Sequence, residues 1–277
     1  TEAVEKLAAR IGFTLHYEDG GPAPETSGRT RLYAANTAAA EWYRGQLATP
    51  EADAGRRFLG ERGFDAGAAA HFGIGYAPKG WNGLRDALAS QGFTDDELLA
   101  AGLVSQGQRG VYDRFRGRLV WPIRDITGQT IGFGARRLYD DDQGPKYLNT
   151  PETVIYKKAQ VLYGLDLAKK GISRDHRVVV VEGYTDVMAC HLAGITTAIA
   201  TCGTAFGSDH MSVVGRVVGS DTGGEIIFTF DPDAAGQKAA VRAFAEARGS
   251  ALRSYVAVGP EGLDPCDLRL QRGDAAV

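Results

Sequence analysis

Five carboxylates carry the first chemical signal in this sequence. Glu182 closes the β-branched run that starts at Arg177, and Asp186 lies four residues further on. Asp231 closes the run from Glu225, Asp233 follows two residues later, and Asp264 comes after the run from Leu252 to Val258. Carboxylates gathered without a neutralising cation repel one another and resist ionisation. A hard divalent cation removes that cost, and oxygen donors without His or Cys favour Mg2+ or Mn2+ over zinc. Such ions act on phosphates, activating a nucleophile and stabilising the leaving oxygen. The three cysteines (Cys190, Cys202, Cys266) form no C-x-x-C pair and the five histidines no H-E-x-x-H, so neither structural zinc nor a disulfide framework is expected. Each acid also has a structural reading. Asp186 and Asp233 suit first turns of helices, where negative charge is favourable by roughly 0.3–1 kcal/mol whatever the function, and Asp264, before Pro265, suits a turn. Glu182, followed by Gly183, gains nothing structural at a strand end and is the strongest functional candidate.

The elements that must position these acids are legible from periodicity. From about residue 176 strands and helices alternate: 177–182, a helix to Ala193, 197–201, 208–218, 225–231, 234–248 and 252–258. Continuous apolar strands separated by helices predict a parallel sheet covered on both faces. In such a sheet the residues beyond the strand ends share one edge, where ligands bind, so Glu182, Gly203-Thr204, Asp231, Asp233 and Asp264 belong to one rim. Upstream, Val4 to Ile11 and Leu32 to Tyr43 have helical spacing around a loop at Gly20–Gly28. Further helices are expected over 51–63, 84–91 and 95–101, the last capped by Thr94. Residues 118–125 and 129–138 read as a hairpin turning at Ile126-Thr127-Gly128.

The stretches Glu182-Gly-Tyr-Thr-Asp-Val187 and Phe230-Asp-Pro-Asp-Ala-Ala-Gly236 resemble a Toprim domain, with its strand-end Glu and later Asp-x-Asp pair. Phe72-Gly-Ile-Gly-Tyr-Ala-Pro78, the segment Phe115–Asp125 with Ile131-Gly-Phe-Gly134, Lys146-Tyr-Leu-Asn-Thr-Pro-Glu-Thr153 and Leu162-Tyr-Gly-Leu165 resemble, in the same order, the bacterial DnaG-type replicative primases. The resemblance implies an α/β chain: an α+β N-terminal subdomain over 1–175, a Toprim-type parallel-sheet domain with helices on both faces over 176–262, and the start of a further segment over 263–277. It implies a nucleotidyltransferase, a DNA-directed RNA polymerase laying short primers on single-stranded DNA from ribonucleoside triphosphates with Mg2+ or Mn2+. Glu182, Asp231 and Asp233 match the catalytic, metal-binding acids, and Asp186 and Asp264 the supporting ones. Arg136, Lys146, Asn149, Lys158 and Arg116 match positions that meet template or nucleotide. Two departures stand out: Pro232 replaces the usual Gly between the paired aspartates, holding Asp231 extended as a strand end requires, and Asp264-Pro265-Cys266-Asp267 displaces the family's second acid by one position. The family's zinc-binding, helical and helicase-binding flanks have no counterpart here, so the chain, which begins at Thr1, is expected to be a catalytic core meeting a replicative helicase through a C-terminal domain it lacks.

Charge distribution agrees with that expectation. The 277 residues carry 31 Lys+Arg against 34 Asp+Glu, a net charge of −3, which excludes a uniformly basic coat protein. Residues 109–158 nevertheless hold ten basic residues against six acids, so a basic segment precedes the acid rim. Phe133, Tyr139 and Tyr147 are aromatic candidates there, Phe133 for the core, and Asp140–Asp142 read as a solvated loop. No apolar stretch approaches the ~20 residues of a membrane span, and the chain reads as cytoplasmic. Two other readings are weighed: a haloacid-dehalogenase-like phosphatase, whose strand-end nucleophile would be Asp231, and a non-catalytic Toprim module binding DNA or protein.

Overall fold

Helix α1 (Pro24–Gln46) opens the described part of the chain, which in this computed structural model comprises residues 24–219, 223–229, 234–247 and 252–277. The helix expected over Val4–Ile11 lies outside it. Leu32, Ala35, Ala39 and Tyr43 recur at helical spacing and are all buried, so one stripe of α1 faces the core. The loop expected over Gly20–Gly28 is corrected from Pro24 onward, where the backbone is already helical. Proline is well placed in a first turn, because its missing N–H would have no intrahelical partner.

Two short helices follow, α2 (Asp53–Glu61) and α3 (Ala66–Phe72). The Asp65 side chain accepts the Ala68 N–H at 2.7 Å to start α3, and Gly73 ends it at φ 72°. After β1 (Gly75–Ala77) come α4 (Gly83–Ala89) and α5 (Asp95–Ala100). Thr94 caps α5 as expected, in a reciprocal box with Glu97. A small hairpin, β2 (Val104–Gly107) and β3 (Gly110–Asp113), leads to the expected larger one, β4 (Arg118–Arg124) and β5 (Thr130–Arg137), joined on its outer side by β6 (Tyr147–Asn149). The antiparallel order is β1-β4-β5-β6.

The second sheet is parallel, in the order β10-β9-β7-β8. Its chain order is α6 (Leu165–Asp175), β7 (Arg177–Val181), α7 (Tyr184–Leu192), β8 (Ala198–Ala200), α8 (Ser208–Val218), β9 (Glu225–Thr229), α9 (Ala234–Ala247), β10 (Arg253–Ala257) and α10 (Pro265–Arg272). Strand side chains alternate between faces, and β7 shows why its valine run is unbroken. Val178 and Val180 pack with Ile199, Ile226, Phe228 and residues of α6, α8 and α9. Val179 and Val181 pack on the other face with α7, Cys266 of α10 and Trp121 of the antiparallel sheet. Both faces are buried, which favours an unbroken apolar run. The second of these cores is continuous with that of α1 and β4–β5, so the two sheets share a hydrophobic interior across residue 176. No helix among the described residues is long and apolar enough to cross a membrane.

Candidate active site

Glu182 follows the last residue of β7 and is half-buried at the carboxyl edge of the parallel sheet. The chain then turns through Gly183 into α7. The Gly183 N–H donates to the Asp186 carboxylate at 3.0 Å, which folds the buried Asp186 back onto the first turn. Asp264 caps α10, accepting the Asp267 N–H at 2.6 Å. The first-turn role anticipated for Asp186 is therefore real, whereas Asp264, expected in an ordinary turn, caps a helix instead; the two bonds fix where the carboxylates point. Glu182, Asp186 and Asp264 line one cavity of about 300 Å3. Glu182 also borders a cleft of about 680 Å3 lined by Thr201, Gly203 and Thr204 after β8 and by Lys238 and Arg242 of α9. Three of the five acids thus converge as the topology requires; Asp231 and Asp233 lie outside the described residues.

Among the described residues no three His, Cys, Asp or Glu side chains approach closely enough to hold a metal ion. The donor chemistry around the cavity is nevertheless that of oxygen. Burial pushes the Cys190 thiol up to about 12 and that of Cys266 up to about 11, so both stay protonated near neutrality and are poor ligands. Oxygen donors of this kind suit a hard cation better than a thiophilic one.

Strand β6 divides this acid edge from a basic one. Its alternation sends Leu148 into a groove of about 540 Å3, while Tyr147 and Asn149 face Tyr184 of α7. The groove is basic and aromatic. The Arg116 guanidinium lies 4.1 Å from the Trp81 ring centre and 5.1 Å from that of Tyr112, and Lys79 lies 3.7 Å from that of Tyr139. Trp81 is 62% exposed, unusual for so large an apolar ring. Arg118, one of the alternating hairpin arginines, is buried: it pairs with Asp142 and donates to the Pro145 carbonyl at 2.9 Å. The solvated loop expected at Asp140–Asp142 is thereby corrected at Asp142, which the arginine draws inward.

The remaining sequence candidates divide. Lys146, at the head of β6, and Lys158 are exposed. Lys158 is held by its backbone, its N–H donating to Glu152 at 2.8 Å and its carbonyl accepting from His210 at 3.1 Å. Arg136 stacks on Phe58 at 4.1 Å. Phe133 is fully buried, as expected of a core residue. Asn149 is engaged inside the protein: its Oδ1 accepts from the Tyr184 hydroxyl at 2.9 Å and its Nδ2 donates to the Cys202 carbonyl at 2.7 Å.

Comparison with known proteins decides what this pairing of edges belongs to. Residues 42–169 match the DNA primase catalytic core N-terminal domain and residues 176–257 the Toprim domain. The chain is 61% identical to the DNA primase of Streptomyces coelicolor and 55% identical to that of Mycolicibacterium smegmatis, in each case over its whole length but only 44% of theirs. The crystal structure of the RNA polymerase domain of Mycobacterium tuberculosis primase DnaG superposes with a TM-score of 0.86 at 55% identity, covering 90% of this chain and 81% of that one. The chain belongs to the DnaG-type primase catalytic cores. A DnaG primase catalytic domain solved bound to single-stranded DNA also matches, with a TM-score of 0.77 at 37% identity, covering 91% of this chain and 78% of that one.

Within this DnaG-type core, sequence reasoning passed over three features. Trp81 stands alone in a turn and carries no periodic signal, although an exposed tryptophan near arginines is a stacking platform. Asp113 is buried at the same place, accepting the N–H groups of Leu84 and Arg85 at 2.8 and 2.9 Å, and burial raises its carboxyl to about 6 despite those bonds. Tyr184 appears in the Toprim motif only as a spacer, yet its ring stacks on Trp121 at 5.3 Å. Neither the phosphatase nor the non-catalytic reading gains support from these matches.

Proposed function

We propose that this chain is the polymerising core of a primase, joining ribonucleoside triphosphates into short RNA on single-stranded DNA. The observation that carries the reading is the placement of Glu182, Asp186 and Asp264 around one cavity, with a basic and aromatic groove on the other side of β6. The chain spans 44% of the curated primases it matches, so the activity of the whole protein is part of the proposal.

Glu182, Asp231 and Asp233 would hold Mg2+ or Mn2+, with Asp186 and Asp264 shaping the site. Bound there, the metal supplies activation of the primer hydroxyl and charge compensation for the leaving pyrophosphate. The protein's own work is positioning. The Gly183 N–H fixes Asp186 beside Glu182, so the acids are oriented before nucleotide arrives. Lys146, Lys158 and Arg136 would meet a triphosphate or template phosphate. Trp81, with Arg116 against its face, offers a base-stacking platform for template, the arrangement expected of sequence-tolerant single-strand binding. A replicative helicase would be met by parts of the protein outside these 277 residues, and the site of action is the cytoplasm.

The test is direct. Single-stranded template, ribonucleotides and Mg2+ or Mn2+ are supplied with and without a chelator. Short RNA that needs both template and metal is expected; release of phosphate from simple monoesters without template would overturn the reading.

A further inference from the structure

The side chain of Asn149 is spent on the protein rather than left facing a ligand. Its two polar atoms reach two different loops of the acid edge. Oδ1 accepts from the hydroxyl of Tyr184, the first residue of α7 and the second after Glu182; Nδ2 donates to the carbonyl of Cys202, in the loop after β8. Its own carbonyl accepts from Arg114 at 3.0 and 3.3 Å, which ties the same residue to the segment between β3 and the basic hairpin.

The loop after β8 needs such a tether. Cys202 has φ 52°, a left-handed conformation that side chains other than Gly, Asn and Asp seldom adopt, and Gly203 follows at φ 90°. Strained backbone of this kind persists only when its surroundings over-determine it. Thr201, Gly203 and Thr204 line the cleft that Glu182 borders. On the other side, Tyr184 is buried between Trp121 and Tyr163, and its hydroxyl passes over Gly134, where any Cβ would overlap it. The slot exists because residue 134 has no side chain.

From this juxtaposition we infer that Asn149 and Tyr184 form a positioning brace for primer synthesis, holding the Glu182 turn and the 201–204 loop at a fixed separation, and that Asn149 does not itself contact nucleotide. The inference rests on the functional reading above for its kinetic consequence, but the brace has a readout that needs no activity.

The experiment compares the 277-residue chain with Asn149→Ala, Tyr184→Phe and the double variant, by amide hydrogen exchange over 201–206 and by template-directed ribonucleotide incorporation. Tyr184→Phe keeps the stacked ring and so guards against a simple failure to fold. Each single variant is expected to speed exchange over 201–206 at least about tenfold and to lower kcat about tenfold with the ribonucleotide KM within about twofold. The double variant should be no worse than Asn149→Ala, because groups acting as one network are non-additive. Unchanged exchange over 201–206 in Asn149→Ala overturns the brace whether or not the chain polymerises. A raised KM in Asn149→Ala with a silent Tyr184→Phe also overturns it, in favour of direct nucleotide contact. If the unsubstituted chain makes no RNA, the functional reading fails and exchange alone decides the brace.

Discussion

The rings of Trp121 and Tyr184 stack at 5.3 Å with 17° between their planes, although one belongs to the antiparallel sheet and the other to the helix behind the catalytic candidate Glu182. Trp121 and Gly134 are directly paired across β4 and β5. The stacked tyrosine therefore lies over the tryptophan while its hydroxyl crosses the bare glycine. The Trp121 indole N–H also points at the Met188 sulfur at 3.3 Å, so both ends of the indole are fixed on α7. This contact joins the antiparallel sheet to the acid edge, and it makes the geometry of that edge depend on a residue more than sixty positions upstream.

Gly134→Ala tests that dependence. The added Cβ would overlap the Tyr184 hydroxyl, and because the ring is confined by Trp121 the strand or the helix must move. Overpacking of this kind costs typically 1–3 kcal/mol, so a loss of about 2 kcal/mol is expected, read as a fall of about 5 °C in a thermal melt of a chain this size. A melting temperature within a degree of the unsubstituted protein would show that the slot is not tight.

Much of this architecture was readable from residue order. The valine run of β7 announces two buried faces, Thr94 with Glu97 announces a helix start, and the spacing of Leu32, Ala35, Ala39 and Tyr43 announces the buried stripe of α1. What escaped was short or non-local. Strands β1, β2, β3 and β6 have three or four residues each, too few for alternation to show. Arg118 has the look of a solvated hairpin residue, and only the return of the 139–146 loop buries it against Asp142. At the site, residue types and strand ends located Glu182, Asp186 and Asp264, since topology alone gathers them. For Asn149 the type was legible and the partners were not: Tyr184 lies 35 positions away and Cys202 lies 53, distances at which sequence pattern carries no contact information.

Glu182→Gln removes the charge while keeping size and shape. Loss of residues that merely orient metal ligands typically costs 10–100-fold in affinity or activity, so loss of a ligand should cost more: at least about a hundredfold in template-directed incorporation at saturating Mn2+, with unaltered far-UV circular dichroism. Incorporation within threefold of the original would remove Glu182 from the metal site.

Trp81 and Arg116 should separate stacking from charge. For Trp81→Ala the affinity for single-stranded DNA should fall about tenfold, since a stacked base is worth roughly 1–3 kcal/mol, with the slope of log Kd against log salt unchanged. Arg116→Ala should make that slope shallower by about 0.7, the contribution of one phosphate on a single strand. Lys146→Ala should do the same if it meets a phosphate. Fluorescence anisotropy across 50–300 mM salt distinguishes the cases, and a slope change in Trp81→Ala with none in Arg116→Ala would reverse the assignment.

Asp113 gives the stability of the fold a pH dependence whose sign can be worked out. Its side chain accepts the N–H groups of Leu84 and Arg85, while its own N–H donates to the Trp81 carbonyl at 2.7 Å and its carbonyl accepts from Arg116 at 2.9 Å. Burial raises the carboxyl from 3.8 to about 6, outweighing the two N–H bonds that favour the anion. The folded state thus binds this proton more tightly than the unfolded chain. The stability the group contributes is fully present below about pH 4, declines as pH rises through about 6, and is flat above. Two pH units correspond to about 3 kcal/mol. Because other carboxylates titrate over the same range, the measurement is a difference: denaturant unfolding of the protein and of Asp113→Asn at pH 4, 5, 6 and 7. The protein should lose ground to the variant steadily from pH 4 to 6 and hold level from 6 to 7. A stability difference that does not vary with pH would mean that the buried carboxyl is ionised throughout, its charge sustained by the two N–H groups at the start of α4.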